Sequence, residues 1–591
     1  MVVKFMFLSI FQSEDTMKMY ENQANLPRLP LPALEDTCRK LLEWSQPLLS
    51  SEDYDSSKKA VDYFISNEGE GPFLQKKLTG LRNRKDTLNW LEPFWYGTYL
   101  GNRLPLPVNS NVAFVLEKNI ESKNMPQAEF AASLLVSLFE YRNLLYSGNM
   151  DIDFQGRKAL CMSQYKTLLG TARIPGKELD ILKTDNPSNH VAVIANGRYY
   201  KIHAPFKADV AKNYTHFYNS IKMILKESEA EDNFPVGCLT STDRTSWAKN
   251  RNRIIELEPS NADSLNQMEG ALAVLALDGN EYESDSEMFK NMLCGNSRNR
   301  WYDKSIQLIL SSDGHFAINY EHSGVDGTTL GNLVRFIYKN TKPHEEIKEV
   351  NAAHEVEEIC FTLDGHIKNE IEKAEAGSEK AFKGLSIEVL LFDKFGKTRI
   401  KESKTSPDSF IQIAFQLAQM KTFGKVRNTY EAVMTKQFLH GRTEAMRPVT
   451  PESIAFVLEP TSGNFRKAMA KHIERISECK NGYGIDRHLF GLRKMHEENF
   501  PGDYLPEIFH SPSYREICRN FFSTSTSNPK GLLHAGYGPV IYDGYGLRYL
   551  IYGNELHFVL SSKVHNSENL LKLKSNLEES LVEIASILES E

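Results

Sequence analysis

The sequence predicts a mixed α/β fold divided into two domains. From about residue 114 onward, strand-like runs of alternating apolar residues are interleaved with amphipathic helical patterns, and neither period dominates. The chain of 591 residues is too long for one compact hydrophobic core. Its 41% hydrophobic and 25% charged residues are ordinary for a folded globular protein, which excludes a disordered chain.

Residues 1–25 form an N-terminal extension of uncertain structure. Residues 2–11, VVKFMFLSIF, are apolar but too few to span a bilayer, and no small-residue cleavage site follows them. The segment is also not Arg-rich and acid-poor like a mitochondrial presequence. Either Met17 is the true start, or the stretch packs on the body of the protein. No transmembrane segment and no peroxisomal address are predicted, and we expect a cytoplasmic protein.

The charge balance and the cysteines exclude further classes of function. A net charge of −7 is small for this length and argues against a protein that binds nucleic acid through bulk positive charge. The seven cysteines are widely scattered, their number is odd, and none forms a CxxC pair. We therefore expect neither disulfides nor a structural zinc site, and we predict no other metal site.

A histidine follows a predicted β-hairpin in the middle of the chain. The runs SIQLIL and HFAINYE flank a turn that contains Asp313 and Gly314, so His322 falls at the end of the second strand. Asp326 comes four residues later. Apolar residues at helical spacing follow it: Leu330, Leu333, Val334 and Ile337. The pattern alone fits either a catalytic base or a packed histidine at a strand end.

A second unit begins near residue 386, after a charged helical stretch. LSIEVLLFD has the character of a strand, and the basic loop KFGKTRIKESK follows it. Ser406 as N-cap, Pro407 at the first position and Asp408 in the first turn then predict the start of a helix. The buried stripe of this helix is expected to comprise Phe410, Ile413, Ala414 and Leu417.

Several motifs together resemble one family. The HxxxDG pattern at residues 322–327 is similar to that of acyltransferases of the chloramphenicol acetyltransferase superfamily. Four further motifs occur in the order found in the choline/carnitine O-acyltransferase family: TYEAVMTKQFLHGRTEAMRP (429–448), GIDRHLFGLR (484–493), FFSTSTSNP (521–529) and GPVIYDGYGLRY (538–549). From about residue 26 to its end the chain resembles this family, and it is most like the carnitine O-acyltransferases.

The resemblance implies two similar α/β domains of chloramphenicol acetyltransferase topology, which share an active-site tunnel at their interface. Residues 106–385 would form the domain that contains the catalytic histidine. Residues 26–105 and 386–591 would form the second domain, which carries the coenzyme A and acceptor motifs. Both substrates would meet in the tunnel, so that no acyl-enzyme is needed. We expect a monomer.

The resemblance also implies catalytic roles. His322 would be the general base that deprotonates the acceptor hydroxyl, or the coenzyme A thiol in the reverse direction. Asp326 would hold neighbouring groups in place. Ser525, in the Ser-Thr-Ser motif, would donate a hydrogen bond to the oxyanion of the tetrahedral intermediate. The alternative is a polar loop whose hydroxyls bind their own backbone.

Acceptor choice is implied by the positions that match the family's carnitine-binding residues: Tyr430, Thr443, Arg487 and Ser523. Carnitine enzymes have arginine at the position of Arg487, and choline acetyltransferases have asparagine. A guanidinium suits the carboxylate that carnitine has and choline lacks. The alternative for Arg487 is a structural pair with Glu444 or Asp486. Ala432 replaces a common serine, so choline or another hydroxylated quaternary amine is a second hypothesis, and a silent acyl-CoA binder is a third.

Acyl-CoA is the implied co-substrate, and no permanently bound cofactor is expected. Lys397, Lys401 and Asp408 match the family's coenzyme A contacts, within a basic stretch whose charge suits the phosphates of coenzyme A. Ala535, followed by Gly536, is expected to line the acyl pocket, where short-chain carnitine enzymes have a bulky methionine. Because alanine blocks less volume, we expect acyl chains longer than acetyl to be accepted.

Overall fold

The computed structural model describes residues 17–184, 188–204, 209–230, 233–344 and 356–590. Strands and helices are interleaved along the chain and build two large β-sheets, which confirms the predicted mixed α/β class. The apolar stretch VVKFMFLSIF, with its predicted alternatives, lies outside the described residues.

The described strands are, in chain order, β1 (Val112–Leu116), β2 (Phe154–Gln155), β3 (Lys158–Ala159), β4 (Thr171–Ile174), β5 (Ile181–Thr184), β6 (His190–Ala195), β7 (Arg198–His203), β8 (Val274–Asp278), β9 (Ile306–Ser311), β10 (Phe316–Tyr320), β11 (Val356–Ile359), β12 (Leu385–Phe392), β13 (Thr429–Met434), β14 (Thr443–Met446), β15 (Phe522–Thr526), β16 (Leu532–Gly536), β17 (Tyr545–Ile551) and β18 (Leu556–Lys563). The first large sheet has eight strands in the order β11-β7-β6-β8-β9-β10-β1-β16. The second has six, in the order β12-β18-β17-β15-β13-β14. The pairs β2-β3 and β4-β5 form two small separate sheets.

The described α-helices are, in chain order, α1 (Leu34–Ser45), α2 (Ser51–Ile65), α3 (Gly71–Asn83), α4 (Glu92–Gly101), α5 (Leu106–Asn109), α6 (Gln127–Tyr146), α7 (Val210–Glu227), α8 (Arg244–Leu257), α9 (Pro259–Gly270), α10 (Asp285–Cys294), α11 (Gly327–Asn340), α12 (Gly365–Lys383), α13 (Lys397–Glu402), α14 (Pro407–Phe423), α15 (Pro451–Leu458), α16 (Ser462–Lys480), α17 (Asp486–Asn499), α18 (Pro512–Cys518) and α19 (Ser567–Glu589). None of the described helices combines the length and the apolar character that crossing a membrane requires.

The predicted hairpin before His322 is confirmed. β9 and β10 pair antiparallel, with Ile306 opposite Tyr320. Gly314 in the connecting turn has a φ of 91°, a left-handed conformation that glycine adopts without a Cβ clash. His322 therefore follows the end of β10, and Asp326 is the residue directly before α11.

The predicted start of α14 is also confirmed, since Ser406 Oγ accepts a hydrogen bond from the backbone N–H of Ser409 at 3.4 Å. The basic segment before it is not simply the predicted loop, because residues Lys397–Glu402 form α13. A helix of this length has too few residues for an amphipathic period, so its sequence pattern cannot be told from that of a polar loop.

The strand β1 shows how the first sheet is buried on both faces. Val112, Phe114 and Leu116 point into one hydrophobic cluster, and Ala113 and Val115 point into another on the opposite face. The second cluster also takes in apolar residues of the six-stranded sheet: Leu385, Ile387, Val389 and Val559. The two large sheets are thus packed together through a shared apolar layer.

One strand crosses between the two parts of the chain. β16 comes from the C-terminal segment, yet it pairs antiparallel with β1 at the edge of the eight-stranded sheet. Phe114 lies opposite Ala535 in this pairing, and Ala113 lies opposite Gly536. The division of the chain between residues 385 and 386 stays a prediction. In any such division, β16 belongs to the second segment by sequence and to the sheet of the first segment by its pairing with β1.

Candidate active site

A cavity of about 480 Å³ lies where strand ends of both large sheets meet, and we call it the central cavity. Seven of the predicted site residues line it: His322, Asp326, Tyr430, Thr443, Arg487, Ser523 and Ser525. They come from separate parts of the sequence, following β10 or lying on β13, β14, β15 and α17. The fold therefore brings the predicted base, oxyanion donor and acceptor-binding residues to one place.

His322 has one ring nitrogen engaged by the backbone and the other left able to accept a proton. Its Nδ1 lies 2.7 Å from the carbonyl oxygen of Val325. Because a carbonyl can only accept, Nδ1 carries the proton and Nε2 keeps a free lone pair. The imidazole ring packs in T-shaped contacts against Tyr99 and Tyr320, with ring centroids 5.9 and 5.6 Å apart, respectively. Burial lowers the pKa of His322, so that the neutral, basic form persists into mildly acidic solution.

Asp326 is held by a buried arginine that the sequence analysis did not single out. Arg442 Nε and Nη2 donate to the two carboxylate oxygens of Asp326, each at 2.9 Å. Gln164 Nε2 also donates to Asp326 at 2.7 Å. Although burial raises the pKa of this carboxyl, Arg442 more than offsets the effect and the pKa is lowered. Asp326 is thus an ionised carboxylate held in place by Arg442.

Arg442 also ties down the turn that carries His322. It donates to the carbonyl oxygens of His322 at 3.1 Å and of Ser323 at 2.6 Å. The signal in the sequence was a basic residue beside Thr443 in the motif HGRTEAMRP. A single sequence does not reveal that this residue turns inward, because surface arginines are far more common.

The Ser-Thr-Ser motif forms the end of β15. Thr524 points away from the central cavity, since its hydroxyl donates to the backbone oxygen of Tyr430 and accepts from Gln412. Ser523 and Ser525 lie on the other face of the strand and line the cavity. The alternation of β15 therefore directs the first and third hydroxyls of the motif towards the site, and the second into the core.

A second unpredicted arginine lies beside Ser525. Arg548, on the neighbouring strand β17, donates from Nη1 to Ser525 Oγ and from Nη2 to Ser527 Oγ, both at 2.5 Å. It is 6% exposed and lines the central cavity. Its signal was one charged residue inside the otherwise apolar strand YGLRYLI, a pattern that points to a special role for the charge.

Arg487 lines the cavity from another wall, against the ring of Trp95 at 5.1 Å. Its Nε donates to the backbone oxygen of Thr443 at 3.0 Å, and its Nη1 donates to Asp486 at 2.9 Å. The pairing with Asp486 that the sequence analysis left open is therefore present. Asp486 is shared, however, because Arg447 Nη2 donates to its other oxygen at 2.5 Å.

This geometry can be compared with known proteins. The family model described as Choline/Carnitine o-acyltransferase matches residues 29–579, which is nearly the whole chain. The chain belongs to the choline/carnitine O-acyltransferase family. The resemblance predicted from the motifs is confirmed, and the protein is an acyltransferase.

Relatives within the choline/carnitine O-acyltransferase family differ in what their names say they act on. The chain is 29% identical to carnitine O-acetyltransferase of Homo sapiens, covering 98% of this chain and 96% of that protein. It is 30% identical to mitochondrial carnitine O-palmitoyltransferase 2 of Macaca fascicularis, covering 91% of this chain and 88% of that protein. It is 31% identical to choline O-acetyltransferase of Mus musculus, covering 92% of this chain and 89% of that protein.

Among solved structures, the first condensation domain of the CDA synthetase superposes with a TM-score of 0.35 and 10% identity. The alignment covers 84% of this chain and 95% of that chain. A score this low adds nothing to the assignment to the choline/carnitine O-acyltransferase family, which rests on the family match.

The residues predicted to bind coenzyme A in this acyltransferase do not line the central cavity. Lys397 and Lys401 are exposed on α13. Asp408, in the first turn of α14, accepts a hydrogen bond from Tyr549 at 2.6 Å and faces the buried pair of Glu431 and His472. Burial, with Asp408 adding to it, raises the pKa of Glu431 to about 7.

The predicted acyl-pocket residues are buried within β16 of this acyltransferase. Ala535 is 1% exposed and belongs to the hydrophobic cluster that contains Phe114. Gly536 faces the other side of the sheet, where an added Cβ would lie 2.8 Å from Val559 and 2.9 Å from Phe289. Neither residue lines the central cavity, although Tyr537, directly after them, does.

Proposed function

We propose that the protein transfers an acyl group reversibly between acyl-CoA and the hydroxyl of carnitine. The observation that carries this proposal is the central cavity, into which a neutral histidine, a serine hydroxyl and a guanidinium project from separate elements. The first two are the groups that acyl transfer requires, and the third selects the acceptor.

In the proposed reaction, His322 Nε2 takes the proton from the carnitine hydroxyl as its oxygen attacks the thioester carbonyl. A carbon–oxygen bond forms, and the carbonyl oxygen becomes an oxyanion that accepts a hydrogen bond from Ser525. The tetrahedral intermediate collapses, the carbon–sulfur bond breaks, and the proton on His322 passes to the leaving thiolate. A general base of this kind contributes about 10²–10⁴-fold in rate. No protein nucleophile takes part, so no acyl-enzyme forms.

The charges around Arg487 favour an acceptor that bears a carboxylate. Arg487 and Arg447 both donate to Asp486, so that two guanidinium groups share one counter-charge. Burial raises the pKa of Glu444, which makes this carboxyl a weaker counter-charge than an exposed one. The guanidinium groups therefore give this wall of the cavity a positive character, and Tyr430 and Thr443 add polar side chains there. Carnitine supplies the missing carboxylate.

Choline is the second candidate acceptor, and Ala432 is the observation that favours it. This residue lines the central cavity where the family commonly has a serine, so that one hydroxyl contact to carnitine is absent. Coenzyme A is proposed to bind along Lys397, Lys401 and Asp408. The cytoplasmic location and the monomeric state also stay predictions.

The test is release of free thiol from acetyl-CoA in the presence of carnitine, of choline or of no acceptor. We expect carnitine to give the highest kcat/KM, and His322→Ala to lose at least about a hundredfold in turnover. Coenzyme A binding by the variant, measured calorimetrically, should be unchanged. Turnover with choline but not with carnitine would show that choline is the acceptor and carnitine is not. If the protein binds coenzyme A but releases thiol with none of the acceptors, the remaining hypothesis is a catalytically silent acyl-CoA binder.

A further inference from the structure

Arg548 places a positive charge at the central cavity, and no carboxylate of the described residues forms an ion pair with it. Among the described residues, its hydrogen bonds go to two neutral hydroxyls, Ser525 and Ser527, and its Nε–H has no acceptor. Burial lowers the pKa of the guanidinium, and the side chains that oppose this are tyrosines, first among them Tyr320. A buried charge is costly unless it is paired, so this site favours an anionic group.

The start of α11 adds to the positive potential at the same wall. Gly327 and Thr328, the first two residues of this helix, line the central cavity. A Cβ added to Gly327 would lie 3.6 Å from Ser527 Oγ, which accepts from Arg548. The hydroxyl of Thr328 is buried without a partner among the described residues. A helix N-terminus attracts anions through its free N–H groups and its dipole.

The position of Arg548 separates it from the acceptor side. Its guanidinium lies over the ring of Phe114 at 5.5 Å and donates to Ser525, the hydroxyl proposed to meet the carbonyl oxygen of the acyl group. Arg487, by contrast, lies against Trp95. The two arginines therefore lie against different walls of the cavity, and an anion beside Arg548 would be part of the acyl donor.

We propose that Arg548 binds a carboxylate at the far end of a short acyl group, so that the donors are dicarboxylic acyl-CoA thioesters. The inference rests on the proposed function and specifies its donor. The reaction is unchanged: the ester bond to the acceptor forms, the thioester breaks, and the distal carboxylate keeps its charge throughout. A neutral hydrocarbon chain would instead leave the guanidinium unpaired and add apolar surface beside it.

The oxyanion of the tetrahedral intermediate does not by itself account for Arg548. That charge exists only during the transfer step, whereas the guanidinium is buried in the resting protein, where the described residues give it hydroxyl partners but no anionic one. Through Ser525 the arginine also orients the hydroxyl that the oxyanion would meet. A variant of Arg548 will therefore slow every donor, and the discriminating quantity is the ratio between donors of equal length with and without a carboxylate.

The experiment measures kcat/KM for thiol release with two matched pairs of donors, malonyl-CoA against propionyl-CoA and glutaryl-CoA against pentanoyl-CoA. Carnitine is held at saturation. For the wild type we expect the carboxylated member of at least one pair to be preferred about tenfold or more. Arg548→Gln should lower this ratio about 10- to 100-fold, the usual effect of losing one charge-assisted bond. Arg548→Lys keeps the positive charge and should retain part of the preference for the carboxylated donor.

The wild-type comparison decides the matter even if the variants fold poorly. A preference for the neutral member of both pairs overturns the inference. So does an Arg548→Gln variant that loses activity equally for all donors, because the arginine then acts only through Ser525. Arg487→Asn is the matched control, and it should raise the carnitine KM without changing the donor ratio. If no donor of either kind releases thiol, the proposed function itself fails.

Discussion

Asp326 and Arg442 form a two-point ion pair inside the protein, with both hydrogen bonds at 2.9 Å and each side chain 7% exposed. The same guanidinium binds the carbonyl oxygens of His322 and Ser323. The pair therefore fixes the turn on which the proposed base is mounted. It joins that turn to the segment before β14, which belongs to the other large sheet.

Asp326→Asn is predicted to destabilise the protein by about 3–5 kcal/mol, because it leaves the buried guanidinium of Arg442 without a counter-charge. Chemical denaturation measured by circular dichroism gives the free energy of unfolding. Asp326→Glu keeps the charge and is the matched control, for which a smaller loss is expected. Equal stability of wild type and Asp326→Asn would show that the pair contributes little.

The pH dependence of transfer is predicted from His322. Burial lowers its pKa below the ordinary value of 6.5, Asp326 opposes the shift, and Arg442 adds to it. The base acts in its neutral form, so activity should fall as the pH is lowered, with the midpoint of the acidic limb below pH 6.5. The measurement is kcat/KM between about pH 5 and pH 8. An acidic limb centred above 6.5 would contradict the assignment of His322 as the buried base.

Arg487→Asn is predicted to raise the carnitine KM about 10- to 100-fold and to narrow the preference for carnitine over choline. Stability should change little, because Asp486 keeps its bond to Arg447. Initial rates at varied carnitine and fixed acyl-CoA provide the measurement. A second series at varied acyl-CoA gives the KM for acyl-CoA, which serves as the internal control. An unchanged carnitine KM would make Arg487 a structural residue.

Ala535→Met is predicted to shift donor preference towards acetyl-CoA, since a thioether would take up space next to Phe114. Overpacking at this buried position should also cost about 1–3 kcal/mol of stability. The measurement compares kcat/KM for acetyl-CoA and octanoyl-CoA. Ala317→Met is the matched control, because Ala317 is a buried alanine of β10 on the opposite face of the same sheet. If both variants give the wild-type donor ratio, Ala535 does not set chain length.

Local patterns in the sequence were enough for some elements and not for others. The turn at Gly314 and the cap at Ser406 were predictable, because hairpins and helix starts depend on residues close together in sequence. The candidate site residues were predicted from motifs that resemble the family rather than from any local pattern, and their roles stay predictions. The helix α13 was missed because its six residues carry no usable period.

The two buried arginines show why contacts between distant segments could not be predicted from the sequence. Arg442 and Arg548 are charged residues whose partners, Asp326 and Ser525, lie 116 and 23 residues away in the sequence. Whether an arginine faces water or a cavity is decided by tertiary packing, and a single sequence contains no record of that packing. The pairing of β16 with β1 was missed for the same reason.

The exchange of β16 has a consequence for the order of folding during synthesis. β1 needs β16 as its neighbour, yet residues 112–116 leave the ribosome long before residues 532–536 have been translated. The eight-stranded sheet must therefore wait with an open edge until nearly the whole polypeptide exists. Pairings between such distant segments form slowly, and exposed edges promote aggregation. Dependence on chaperones is the expected biological cost of building one sheet from both ends of the chain.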